Sequence, residues 1–485
     1  MRKTLFGTAS NDFNLKMTQC IKEIQKIDFK VENYPLILNK YIKLLENAFL
    51  NKQFENLNQS LKDSLHLNYK MLLNRLNESE CCIQIPSVKD LSYMTGMLAG
   101  ENEDQKERLT HMIQTVQKHS VFPLVTTDTS NIPKFWQDLF ELIDKGTMDG
   151  HIAKILKHLR QIPRDNVLNR SILEVHPIGY LEQVIQWTIK AKKENTLNLN
   201  NDIIITPKTF EILIKDIITT LLNPAKIKFS FGLPSHHAFN SEASGFCVFN
   251  KTAIVLHYTH LTQQSPIKHV IIGTDVNRDN GLCHVLRKGD DDLDICHVDI
   301  FDSRVYPNQN EAIINKEFKT HKIVKDSVSS WSSSKYRYFV VDLSKIKRIS
   351  TSMTIHPALD FALNILSDKI IEAQNNNEKI MLYLPTGWDS HQNETAYCSQ
   401  YFGNKKMTRT ENTLCRFNNQ DMLLFYERIC NFYLEYPHII AGIYWGLEGG
   451  YNTKMYEHQI QLMLEIVGNQ LAECNNNSQV NPMEM

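Results

Sequence analysis

Apolar positions along the chain change their period near residue 120. Through residues 10–117 they recur at three- and four-residue intervals, as Phe13, Met17, Ile21 and Ile24, then Tyr41, Leu44, Leu45, Ala48 and Phe49, then Leu109, Met112, Ile113 and Val116. That is the spacing of amphipathic helices, and residues 1–117 are predicted to form an α-helical extension almost without strands. From SVFPLVTTD (120–128) onward, short continuous apolar runs take over: IKHVIIGTDV, YRYFVVDLS, KIMLYLPTGWD and HIIAGIYWGLEGG. Each reads as a buried strand. Helical patterns such as HPALDFALNILSDKIIEA and NQDMLLFYERICNFYL lie between them. Strands alternating with helices predict an α/β domain over 118–472, built on a mostly parallel sheet covered on both faces. Residues 473–485 are polar and predict a frayed tail.

Composition narrows the class without identifying it. A chain of 485 residues accommodates one large α/β domain plus an extension. With 42% hydrophobic and 22% charged residues and a net charge of −1, it reads as a soluble globular protein with no global bias toward nucleic acid or acidic lipid. Its 10 cysteines are scattered and form no Cys-x-x-Cys pair, which predicts a reduced intracellular protein, cytoplasmic or nuclear. The first residues lack the apolar core of a signal peptide, and no run reaches the roughly 18 apolar residues of a membrane span.

The chemistry is concentrated where polar residues follow the apolar runs, the place where parallel sheets hold ligands. HVIIGTDVNRDNG (269–281) puts Asp275 and Asn277 on the same face of an extended segment. GLPSHHAFNSEASGFCVFN (232–250) contains the adjacent His236 and His237. PTGWDSHQNE (385–394) places Asp389 after a strand, and GLEGGYN (446–452) places Tyr451 on a glycine loop. Taken singly, each has a plainer explanation as a satisfied histidine pair, a helix cap or a turn.

Together and in this order they resemble the zinc-dependent histone deacetylases and their acetylpolyamine-amidohydrolase relatives. HHAFNSEASGFCVFN is similar to that family's two active-site histidines and the Gly-Phe-Cys-x-x-Asn that follows. GWDSH resembles the segment bearing its second aspartate ligand, and LEGGYN looks like its catalytic-tyrosine loop, closest to the class II members. Weaker similarity lies at LEVHPIGYLEQV (173–184), NDIIITPKTFE (201–211) and VYPN (305–308), so the resemblance spans roughly 120–470. It implies an arginase/deacetylase-like three-layer α/β fold and hydrolysis of the acetyl amide of acetyl-lysine by metal-activated water. Asp275, Asn277 and Asp389 would then be metal ligands, His236 and His237 the acid–base pair, and Tyr451 the oxyanion donor. Gly245, Phe246 and Tyr306 would line the substrate channel. Acetylated lysines of proteins such as histones would be the substrates and the N-terminal helices a surface for a protein partner, with no nucleic-acid site and no membrane contact.

Two positions depart from the family. Asn277 stands where the family has a histidine ligand, and a neutral amide oxygen is a poorer donor to zinc than imidazole. One divalent ion is therefore expected, zinc or else iron, cobalt or manganese. Gly273 stands where the family carries a carboxylate that orients the first histidine, a loss that commonly costs ~10–100-fold. The sequence leaves open whether Asp279 takes its place. Asn280 follows the class II pattern and should hold His237. These departures support an alternative, a catalytically impaired module that binds acyl-lysine or a partner protein; acetylpolyamines or longer acyl groups are variants of the enzymatic reading. GDDDLD (289–294) lacks calcium-loop spacing and reads as a solvated turn.

Overall fold

A computed structural model describes residues 10–24, 44–45, 48, 57–77, 81–97, 103–120, 122–127, 132–146, 149–200, 202–288, 293–307, 320–325, 328–333, 335–346, 354–394, 401–402, 405–406 and 417–477. Its strands are β1 (Cys81–Ile85), β2 (Leu124–Thr126), β3 (Leu197–Asn200), β4 (Ile203–Ile205), β5 (Ile227–Ser230), β6 (Ile267–Gly273), β7 (Asp294–Phe301), β8 (Thr320–Lys325), β9 (Val328–Ser333), β10 (Tyr336–Asp342), β11 (Lys379–Thr386), β12 (Tyr401–Phe402), β13 (Lys405–Lys406) and β14 (Ile440–Leu447). Ten of them form one sheet in the order β2-β1-β5-β14-β11-β6-β7-β10-β9-β8. Every pairing from β2 to β10 is parallel, while β9 and β8 add to the edge antiparallel. The continuous apolar runs became the central strands because both of their faces are covered: β6 is buried throughout, and β11 at every residue but Lys379. The helix Lys251–Thr262 packs against β11, Pro357–Asn376 against β6, β7 and β11, and Asn419–Glu435 against β14.

The structure corrects the reading of residues 10–117 as helix without strands. The helices Ser10–Ile24 and Glu103–His119 form as the periodicity predicts, with Phe13, Ile24, Leu109 and Val116 buried. Between them, however, CCIQI forms the fully buried β1, which pairs parallel with both β2 and β5 inside the main sheet. Five buried residues between helices carry no alternation that would separate a strand from a helical segment. The sheet thus draws on residues to both sides of position 117. Glu103–His119 packs on the last helix, Thr453–Asn477, which itself runs into the segment read as tail. Tyr41, Phe49, residues 289–292 of the acidic turn and residues 478–485 lie outside the described residues. Among the described residues, no helix is long and apolar enough to cross a membrane.

One buried histidine ties this scaffold to the loop that carries the histidine pair. His176 Nδ1 lies 3.0 Å from the Asn240 carbonyl, and its Nε2 accepts from the Asn250 N–H at 2.8 Å. Asn250 Oδ1 in turn caps the helix Lys251–Thr262 by accepting from Ala253 N at 3.1 Å. Because Nε2 must accept, the ring is neutral with its proton on Nδ1. Burial drives the His176 pKa down to about 4 from 6.5, opposed in part by the Asn240 bond. The unfolded chain therefore binds the proton first on acidification, so this contribution is complete above pH 6.5 and is lost as the pH falls toward 4. The expected loss is roughly 3 kcal/mol at most. Urea unfolding at pH 7 and at pH 4.5 checks it: His176→Gln should show a shallower loss between the two pH values than the native chain, and equal losses would refute it.

Candidate active site

β5, β14, β11, β6 and β7 are successive neighbours and all parallel, so the loops leaving their carboxyl ends open along one edge of the sheet. Those loops deliver the residues singled out in the sequence: His236 and His237 after β5, Asp275 and Asn277 after β6, Tyr306 after β7, Asp389 after β11 and Tyr451 after β14. The histidines, acids, amide and tyrosine are all buried, whereas Phe246 and Tyr306 are half-buried, as residues at an opening should be.

The two imidazoles lie 3.9 Å apart between ring centroids. His236 Nδ1 is 2.7 Å from Asp279 Oδ1, and His237 Nδ1 is 2.5 Å from Asn280 Oδ1. Carboxylate and amide oxygens accept, so both rings donate from Nδ1 and leave Nε2 for the site. Their environments push them apart. Burial opposes charge on His236, but Asp275, the Asp279 bond and Glu448 outweigh it and raise its pKa to about 10. Burial and the neighbouring His236 hold His237 well below its ordinary value, so it stays neutral. A pair split in this way can serve as acid and base.

Two further carboxylates lock the loops together. Glu448 accepts from the Ser235 backbone N–H, from Ser235 Oγ at 2.9 Å and from His236 N at 3.2 Å. Glu394 Oε2 accepts from Tyr451 N at 2.6 Å and Asn452 N at 3.3 Å. The Tyr451 ring lies between Phe246, 6.2 Å between ring centroids, and the Arg108 guanidinium, 5.0 Å from its centroid. Arg108 donates from Nε to the Gly450 carbonyl at 2.8 Å and from Nη2 to the Glu448 carbonyl. Burial pushes the Tyr451 phenol far above its ordinary pKa despite Arg108, so it remains a donor. Gly245 and Phe246 turn with φ of 50° and 65°. For Phe246 that is a strained conformation, about 1–3 kcal/mol, of the kind found at functional positions. Tyr306 meets the His237 ring edge-on at 5.2 Å and shares a 2.6 Å hydrogen bond with Ser244 Oγ.

Asp275, Asn277 and Asp389 fit a divalent cation. Asp275 accepts from Asn277 N and from Gly449 N, each at 2.8 Å, and Asp389 accepts from Val276 N at 3.0 Å. A Cβ on Gly449 would sit 2.0 Å from Asp389 Oδ2 and 2.6 Å from Asp275 Oδ2, so the glycine leaves these two oxygens close enough to share an ion. Burial raises both pKa values, for Asp275 against the opposing charge of His236, and most strongly for Asp389, which the neighbouring Asp275 raises further. Asn277 donates from Nδ2 to the Tyr306 carbonyl at 2.7 Å, which fixes its amide plane as an outer partner fixes a ligand. With Asn277 Oδ1 as a third ligand the donor set would be all oxygen, which suits a harder ion than a histidine site does. A second cluster, Asp279, His297 and Asp299, brings its ligand atoms within 4.8 Å of one another. Its members already bond to one another or to neighbours: Asp279 to His236 and His297, and Asp299 to Tyr338 Oη and Asp279 N.

Sequence reading missed Arg108, Glu394, Glu448 and His297. Glu394 and Glu448 lay inside quoted motifs, Glu448 between the glycines that precede Tyr451. His297-x-Asp299 on β7 and Tyr336-x-Tyr338 on β10 are polar alternations within apolar strands, legible as one inward face. Arg108 left no signal, since nothing in a helical heptad says which side chain reaches a loop more than three hundred residues away.

Residues 137–340 match the family model described as Histone deacetylase domain. That span contains both histidines, Asp275, Asn277 and Tyr306, and it ends before Asp389 and Tyr451, which the fold brings to the same place. No curated protein matches the chain. Among solved structures, the chain is similar to the crystal structure of the HDA15 HD domain, at 13% identity, over 81% of this chain and 90% of that one, with a TM-score of 0.48. The architecture is α/β, with helices flanking a mostly parallel central sheet, and its middle portion is the part that matches the Histone deacetylase domain model.

Proposed function

We propose that the protein is a metal-dependent lysine deacetylase that hydrolyses the acetyl amide of acetyl-lysine side chains in proteins, histones among them. The observation that carries this reading is the pairing of two neighbouring histidines, each oriented through Nδ1, with the buried, closely spaced Asp275 and Asp389 and a tyrosine on neighbouring strand ends. A divalent cation held by Asp275, Asn277 and Asp389 would polarise the acyl carbonyl and acidify the attacking water. His237, neutral and donating from Nδ1 to Asn280, accepts the water proton at Nε2. His236, held protonated against Asp279, delivers a proton to the departing lysine amine. Tyr451 donates its hydroxyl proton to the oxygen that becomes negative, and its high pKa keeps that proton in place. Phe246, packed against Tyr451, and Tyr306, packed against His237, would flank the acyl-lysine stem, and Glu394 and Arg108 hold the tyrosine loop.

The test is turnover of an acetyl-lysine histone-tail peptide by protein supplied with zinc or manganese. Tyr451→Phe should lower kcat by ~10²–10³ while KM stays nearly constant, since the hydroxyl acts on charge that develops only in the transition state. Metal-loaded protein that binds the peptide without cleaving it would instead favour an acyl-lysine-binding module. Cleavage of longer acyl-lysines or acetylpolyamines alone would redirect the substrate class and leave the chemistry intact.

A further inference from the structure

His236 is held by a carboxylate that comes from an unusual place in the chain. Gly273 ends β6 and pairs in register with Asp299 on β7. A Cβ on Gly273 would lie 2.3 Å from Asp279 Oδ2 and 3.0 Å from Asp279 Cγ, distances that real Cβ atoms do not tolerate. The volume a side chain at position 273 would occupy is thus filled by the carboxylate of Asp279, which folds back from the loop beyond Asn277. Asp279 is fully buried there, and both of its oxygens are engaged. Oδ1 meets His236 Nδ1 at 2.7 Å, and Oδ2 meets His297 Nε2 at 3.0 Å.

The chain of contacts continues one step further. His297 Nδ1 lies 2.9 Å from the Tyr336 hydroxyl, which places Tyr336, His297, Asp279 and His236 in one buried line. The Asp279 backbone is fixed as well, donating from N to Asp299 Oδ2 at 3.1 Å. If His297 donates from Nε2 to the carboxylate, its Nδ1 accepts from Tyr336, so a single arrangement of protons satisfies the line. A carboxylate pinned at both oxygens and at its own backbone can hold His236 in one rotamer and one Nδ1–H tautomer, the condition for aiming Nε2 into the site.

We infer that Asp279 is the positioning residue of His236, that position 273 is glycine because Asp279 needs its side-chain volume, and that His297 with Tyr336 fixes Asp279 in turn. In effect the carboxylate has moved from the end of the strand to the following loop, and the glycine has moved the other way. The catalytic part of this inference rests on the proposed deacetylase reading; the geometric part does not.

The test is an exchange of the two positions. Asp279→Gly removes the carboxylate, Gly273→Asp forces two carboxylates into one volume, and Gly273→Asp/Asp279→Gly returns one carboxylate to it from the other side. Each single substitution should lower kcat by ~10–100-fold with KM nearly unchanged, and the double variant should recover at least about tenfold over either. Long-range proton–nitrogen spectra of the metal-free protein supply a readout independent of turnover. The native chain should show a strongly deshielded His236 Nδ1 proton that disappears in Asp279→Gly and returns in the double variant. If Asp279→Gly does not fold, Asp279→Asn serves in its place, because an amide cannot accept from both His236 and His297. A double variant no better than its worse parent, in kcat and in the spectra, would overturn the inference. Absence of turnover in the native protein would count against the proposed reaction, while the spectra would still decide the role of Asp279.

Discussion

Replacing Asp389 with asparagine should stabilise the metal-free protein while abolishing both metal retention and turnover. The two effects have opposite signs because they arise in different states of one site. Without an ion, Asp389 and Asp275 are two acids buried together; burial raises both pKa values, and Asp275 raises that of Asp389 further. An asparagine keeps the oxygen that accepts from Val276 N at 3.0 Å, removes the repulsion, and can turn its Nδ2 toward Asp275. The gain expected is about 1–3 kcal/mol, a few degrees in melting temperature for a domain of this size. With an ion, the native chain gains about 2.7 kcal/mol at a hundredfold excess over Kd, and the variant should gain almost nothing. Because Lewis-acid stabilisation is worth several kcal/mol, turnover should drop by at least ~10³-fold. Thermal melts with and without manganese or zinc, paired with metal analysis after desalting, read both effects. A variant that retains one ion per chain would show that Asp389 is not a ligand, and one that melts below the native protein when both are metal-free would refute the repulsion.

The parts of this architecture that sequence made legible are those dominated by local pattern. β6, β11 and β14 were readable because strands covered on both faces are continuous apolar runs, and their chemistry follows them directly as Asp275, Asp389 and Tyr451. β9, VSSWSS, and β8, THKIVK, escaped because edge strands need no such run, and they turned out to be the antiparallel members. The candidate ligand positions, and Asn280 as the partner of His237, followed from the family resemblance; the partner of His236 did not. Asp279 and Asn280 are adjacent in sequence yet bond to different histidines, and only the packing of Asp279 over Gly273 shows which carboxylate reaches His236. The same limit hid β1, whose five residues acquire their strand identity from β2 and β5 rather than from their own pattern.

Arg108→Met should reveal how far the site depends on the helical region that sequence set apart as an extension. Arg108 lies on Glu103–His119, is buried, and supplies donors to the Gly450 and Glu448 carbonyls on either side of Gly449, whose N–H binds Asp275. It also packs 5.0 Å from the Tyr451 ring centroid. Methionine retains the length of the stem and removes every donor, leaving two carbonyls inside the protein without their partner. At about 1–3 kcal/mol for each such group, the expected loss of stability is roughly 2–6 kcal/mol. Since Gly449, Gly450 and Tyr451 share one loop, kcat should fall further than kcat changes caused by distant destabilising substitutions of equal size, with KM affected less. Arg108→Lys should lie between the native chain and Arg108→Met, because a point charge cannot serve both carbonyls in the fork geometry of guanidinium. Urea unfolding, steady-state kinetics and hydrogen exchange of residues 448–452 provide the measurements. Unchanged exchange in that loop together with unchanged kcat would confine Arg108 to a packing role. Faster exchange with depressed kcat would establish that residues N-terminal to position 117 are part of what holds the tyrosine in place.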